Sequence, residues 1–198
     1  MDLGTAVASS FSAGISMYGV IALLGIAGRL DWVSGDSVLE QPWVIALALV
    51  LFAVEFVVDK IALLDTVWDG VHTVLRPMAG ALILSVAPDQ ALPVPVALGV
   101  GAGLALVSHS AKSSTRLLVN ASPEPVSNVV VSTAEDGLVA ALMALAFANP
   151  EIAFAVTLVL VVVAIGLIVL AWRLVGHVRH RWRSRATGST GDPPPAGA

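Results

Sequence analysis

Between Glu151 and Arg173 the chain carries no charged residue, and the intervening run is built almost wholly from Val, Leu, Ile and Ala. A segment of that length and greasiness is read as a helix crossing the bilayer, because about 20 apolar residues at 1.5 Å each cover the hydrocarbon and only a helix satisfies its own backbone there. The rest of the sequence agrees. Of 198 residues, 57% are hydrophobic and 12% charged, and a mean hydropathy of +0.90 lies outside the range of soluble domains. The absence of cysteine excludes disulfides, thiolate metal sites and cysteine nucleophiles.

The hydropathy pattern predicts an all-α, polytopic transmembrane helix bundle of about six helices over residues 1–185, followed by a disordered cytoplasmic tail, 186–198, rich in Pro and small residues. The spans are expected at about 6–30, 42–62, 66–87, 93–118, 128–148 and 150–175. Pro42 suits a first helical turn and Trp43 a membrane interface. Pro77 predicts a kink in the third span. Six spans also permit a 3+3 inverted repeat. Small residues four apart, Ser10 and Gly14, Ser12 and Ser16, and Gly99 and Gly103, mark faces for close packing within the chain or for a homo-oligomer. Lys and Arg near helix ends stay in the cytoplasm, so both termini are placed there, with Lys60, Arg76, Lys112, Arg116 and the run Arg173 to Arg185 inside and Arg29 outside.

Against this background the charged residues of the inner half stand out. Glu55 is about 10 Å deep in the second span, with Asp59 one turn below it and Lys60 about 100° away. Asp65, Asp69, His72 and Arg76 fall at i, i+4, i+7 and i+11 and draw one polar stripe down the third span. His109, Lys112 and Arg116 make a basic stripe on the fourth, and Asn128, Ser132 and Glu135, with Asp136 beside the last, a polar one on the fifth. Six carboxylates face four fixed cations, an excess of two negative charges that protons, protonated His72 and His109, or a bound cation would balance. Ionised groups in lipid cost at least about 2.5 kcal/mol each, so these stripes are expected to converge on one shared pocket. Without an HxxxH or HExxH pattern the two histidines read better as hydrogen-bonding partners than as metal ligands. Trp68 reads as an interfacial anchor.

The motifs E-x-x-x-D-K (Glu55, Asp59, Lys60), D-x-x-W-D (Asp65, Trp68, Asp69), R-P-x-x-G (Arg76, Pro77, Gly80), K-x-x-x-R (Lys112, Arg116) and S-x-x-E-D (Ser132, Glu135, Asp136) together resemble a bacterial integral-membrane family, the domain of unknown function 4126 family. The resemblance covers about Gly14 to Pro150. It implies a multi-helix protein of the bacterial inner membrane and brings no activity with it. From the residues, the leading expectation is a small transporter or channel-like translocator for an ion or small anionic solute, cation- or proton-coupled. Its pathway would be lined by Glu55, Asp59, Glu135 and Asp136, with Lys112 and Arg116 as counter-charges or a phosphate-attracting ring. An enzyme acting on a lipid phosphate, with Mg²⁺ between Asp65 and Asp69, and a membrane scaffold whose ions fix helix register are the alternatives. No nucleic-acid partner or resident cofactor is expected; the bilayer is the partner.

Overall fold

The computed structural model describes residues 1–34, 38–87, 92–120 and 125–188, with side chains described as far as Gly176 apart from Ala62, Asn120 and Pro125. The described residues form seven α-helices: α1 (Leu3–Ala13), α2 (Met17–Arg29), α3 (Pro42–Val58), α4 (Ala62–Ser85), α5 (Val94–Asn120), α6 (Pro125–Ala148) and α7 (Pro150–Gly188). Proline opens α3, α6 and α7, where its missing N–H is one of the donors a first turn leaves unused. Within 94–176, α5, α6 and α7 are each long and apolar enough to cross a membrane. The shorter α3 is also apolar, while α4 has the length but carries Asp65, Asp69 and Arg76 along one side. This helix runs through Pro77 without interruption. The tail expected from 186 overlaps α7, which continues to Gly188, and its remainder, 189–198, lies outside the described residues.

The count of seven rather than six comes from the first predicted span, which is two half-length helices. α1 descends with Thr5 Oγ1 on the carbonyl of Ala146, Ser9 Oγ near Met143 Sδ and Ser10 Oγ on the carbonyl of Gly80. It stops at Gly14. The chain then turns through Gly14, Ile15 and Ser16, and α2 climbs back along α3 and α6. Leu23 lies beside Ala140, Gly28 beside Glu40, and the Trp32 ring 6.4 Å from that of Phe147. The amino group of Met1 bonds the carbonyl of Ser34 at 2.7 Å, which brings both ends of the hairpin to the same end of the bundle. A Schellman-type cap closes α2: Asp31 takes φ 56°, Trp32 N–H reaches Ala27 O and Asp31 N–H reaches Gly28 O.

This hairpin corrects the expected topology. Gly4 packs against Pro150, so α1 and α7 start at the same end, and α7 then runs in the same direction as α1 and on past the hairpin tip. The amino terminus and the basic end of α7 therefore lie at opposite ends of the bundle, not at the same one. The physical reason is that α1 is no lipid-facing helix: every residue from Gly4 to Ala13 is buried, enclosed by α4, α5, α6 and α7. Non-helical backbone at such depth is tolerated where it is surrounded by protein.

Packing in the half of the bundle where α1 begins depends on small residues. A Cβ on Gly101 would overlap the Gly80 carbonyl and the Leu84 side chain, and one on Gly80 would meet Ala105 and Gly101. These glycines let α4 and α5 touch backbone to backbone. The expected pair Gly99 and Gly103 is not that seam, for neither has a neighbour within 4 Å of its would-be Cβ. Ser10 and Gly14 do pack closely, on Gly80 and on Ala105 with Ser108.

Candidate functional site: a buried ionic network at the hairpin tip

The tip of the hairpin leaves backbone groups open, and the surrounding helices answer them with charge. At the end of α1 the Gly14 carbonyl accepts from Arg76 Nη1 at 3.4 Å and the Ile15 carbonyl from Lys112 Nζ at 3.1 Å. Ser108 Oγ donates to the Phe11 carbonyl at 2.6 Å. Cations at a helix carboxyl end meet the negative pole of its dipole. At the start of α2, Ser16 Oγ donates to Glu55 Oε2 at 3.0 Å, so a carboxylate meets the positive pole.

From these contacts the network spreads through four helices. Arg76, with no exposed side-chain surface, joins Glu55 Oε1 and Asp69 Oδ1 at 2.9 Å each. Lys112 binds Asp59 Oδ2 at 2.6 Å. Arg116 binds Glu135 Oε2 at 2.6 Å, the Asp59 carbonyl at 2.7 Å and Asn128 Oδ1 at 2.8 Å, and lies 3.8 Å from Asp59 Oδ2 and 3.7 Å from Asp65 Oδ2. Ser113 Oγ donates to Asp69 Oδ2 at 3.0 Å. Lys60 is nearer the edge, 3.9 Å from Asp136 and 3.5 Å from Ser132 Oγ, with its ammonium 3.1 Å from the centre of the Phe56 ring.

Hydrogen bonding orients both histidines and fixes the state of one. Arg76 can only donate, so His109 Nδ1 accepts from it at 2.8 Å. Its Nε2–H then donates at 3.1 Å to Thr73 Oγ1, whose own proton goes to the Asp69 carbonyl. His72 Nδ1 must donate to the Trp68 carbonyl at 2.8 Å, and its Nε2 shares a hydrogen bond of 3.1 Å with the Tyr18 hydroxyl. His109 is thus held neutral. It does not help to balance the excess of carboxylates.

The stripes that sequence spacing singled out are therefore brought together: Glu55, Asp59, Asp65, Asp69, His72, Arg76, His109, Lys112, Arg116 and Ser132 are buried, with Glu135, Asp136 and Lys60 at the margin. Among the described residues, three carboxylates are left incompletely satisfied. Both oxygens of Asp65, Asp59 Oδ1 and Asp136 Oδ2 are buried with no hydrogen-bond donor. Trp68 is not the expected interfacial anchor, because it stacks on His72 with ring centres 4.5 Å apart. Trp43, 65% exposed, has the exposure an anchor needs. Sequence reasoning missed the hairpin tip, Tyr18, Thr73 and Ser113. The available signal was Ser9, Ser10, Ser12 and Ser16, four hydroxyls within about two turns of a segment whose polar groups lipid would leave without partners.

The geometry bears on two of the expected roles. Asp69 spends one oxygen on Arg76 and the other on Ser113, and no group of three or more His, Asp or Glu side chains suited to a metal ion occurs among the described residues. Arg76, Lys112 and Arg116 are each committed to carboxylates, as counter-charges rather than as an open anion-attracting ring.

A sequence model of the family described as Domain of unknown function (DUF4126) matches residues 3–170. No curated protein and no solved structure matches the chain.

Proposed function

The chain belongs to the domain of unknown function 4126 family, and from that premise we propose that it is a small membrane translocator whose working centre is the ionic network at the α1–α2 tip. The observation that carries this reading is the pairing of a broken, half-depth hairpin with buried charge. Half-helix ends facing ionisable groups near mid-bundle are the arrangement in which secondary transporters hold ions and substrates. Four fixed cations against six carboxylates, with His109 neutral, leave an excess of negative charge for protons or monovalent cations to balance. Asp65 and Asp136, with unsatisfied buried oxygens, are where we place them. Coupling to a cation or proton follows from that deficit.

By the positive-inside rule we orient the Lys60, Arg116 and α7 end toward the cytoplasm of a bacterial inner membrane and Arg29 outward. The amino terminus then lies outside, with the mouth of the hairpin. Neither alternative draws comparable support. A phosphate-handling Mg²⁺ enzyme needs free carboxylate oxygens and free cations on one face, and Asp69, Arg76, Lys112 and Arg116 are already engaged with one another. A purely structural network would be favoured by full satisfaction, which Asp65 and Asp59 lack.

Flux measurements on purified protein in liposomes test the reading. Wild type is expected to raise proton, Na⁺ or K⁺ permeability above empty vesicles, and Glu55→Gln and Asp136→Asn to lower that rate tenfold or more. Permeability equal to empty vesicles across ions, protons and small solutes would refute it.

A further inference from the structure

Between α2, α3 and α6, on the outer side of the network, lies a cavity of about 200 Å³. Leu23, Ile26, Leu49 and Phe52 line it, and at the end nearest the network it meets Ser16 and Asp136. A second cavity, of about 410 Å³, shares Leu23 and Ala140 with the first and extends between α2 and α6 to Trp32 and Phe147. The two share Leu23 and Ala140 as walls, one reaching the end of the bundle where the hairpin opens and the other reaching one carboxylate, and we read them as one greasy passage.

That carboxylate is poorly neutralised. Asp136 Oδ2 is buried without a hydrogen-bond donor. The nearest cation, Lys60, stands 3.9 Å off and gives its bonds to the Phe56 carbonyl at 3.0 Å and Ser132 Oγ at 3.5 Å. Among the described residues, the one other polar side chain on the cavity, Ser16, donates to Glu55. A bare inorganic cation needs several oxygens around it, and this cavity offers a single carboxylate amid hydrocarbon. A cation that carries its charge inside alkyl groups has the complementary surface: charge toward Asp136, alkyl arms toward leucine and isoleucine, and the Phe52 ring as a favourable neighbour for a quaternary ammonium.

We propose that this cavity binds a compact lipophilic monovalent cation of the alkylammonium class, with Asp136 as its counter-ion. The inference names a substrate class for the translocator reading and rests on that reading for its biological sense. The site itself is tested by binding. Tetraethylammonium is titrated calorimetrically into the full chain in detergent micelles, for wild type, Asp136→Asn, Ala140→Trp and Glu151→Gln. Ala140→Trp fills the wall that the two cavities share, and Glu151, at the start of α7, is remote from the ionic network. Saturable binding by wild type and Glu151→Gln, weakened at least tenfold in the other two, is the expected result. No saturable binding by wild type overturns the inference, as does binding that Asp136→Asn leaves unchanged. Loss in Ala140→Trp alone would mark the passage as a slot for acyl chains and also overturn it. Ion or proton flux without tetraethylammonium binding would sink this inference and leave the translocator reading standing. Binding without flux of any solute would do the reverse.

Discussion

The helices α4 and α5 lie side by side over most of their length, yet their two halves are joined by different physics. Toward the end where α1 begins, Gly80, Gly101 and Ala105 let the backbones meet, and nothing ionic is involved. Toward the other end the same two helices are bridged by Arg76 to His109, Thr73 to His109 and Asp69 to Ser113. Steric seams have one solution and no tolerance. Ionic seams have strong partners and several arrangements of protons and counter-ions. The hairpin tip sits at the junction, where Ser10 touches Gly80 and Gly14 touches Arg76. The proposed translocation would use this difference, with the close-packed half holding the hairpin and the ionic half meeting its tip.

Substitutions can break that contrast in a graded way. The largest effect is expected from Gly101→Leu, because the added side chain would have to occupy the Gly80 backbone; purified protein should fail to give a monodisperse peak on size exclusion. Next comes Arg76→Ala, which strands Glu55 and Asp69 in the interior. Removing one partner of a buried pair costs about 3 to 5 kcal/mol, seen as a large drop in the thermal unfolding midpoint in detergent. Adding Glu55→Gln to Arg76→Ala should recover part of the loss. A double variant no more stable than Arg76→Ala alone would show that the two side chains are not coupled.

Ser113→Ala removes one hydrogen bond to a carboxylate and should cost about 1.5 kcal/mol in the same assay. The smallest change, and the one of opposite sign, is expected from Gly99→Ala. With nothing within 4 Å, the new methyl clashes with no neighbour, and helix propensity should raise stability by up to about 1 kcal/mol. Two glycines only two residues apart in sequence, Gly99 and Gly101, thus predict opposite outcomes.

Those same glycines show where sequence reading runs out. Spacing of four identified Gly99 and Gly103 as a packing face, but spacing says which residues share a face and not which way the face turns. The charged stripes were legible because ions in an apolar chain have few places to go, and the network contains the residues that i, i+4 and i+7 counting assembled. Their pairing was less legible: Lys112 and Asp59 are far apart in the chain, and so are Arg116 and Glu135, and only the packing of helices selects partners. The hairpin was hidden for a related reason. No proline marks the break at Gly14 to Ser16. The turn is held by carbonyls that bond Arg76 and Lys112, residues 62 and 97 positions away in the chain. A continuous hydropathy profile therefore read two half-helices as one span.

The hairpin is the premise on which the site, the orientation and the passage to Asp136 all stand, and the cysteine-free chain makes it directly testable. Single cysteines at Asp2 and Ser34, both exposed, and a third at Gly188 would be challenged with a membrane-impermeant maleimide in intact and permeabilised cells. The structure predicts that Asp2→Cys and Ser34→Cys label from one and the same side and Gly188→Cys from the other. Labelling of Asp2→Cys and Ser34→Cys from opposite sides would mean a single crossing helix, and would contradict the account.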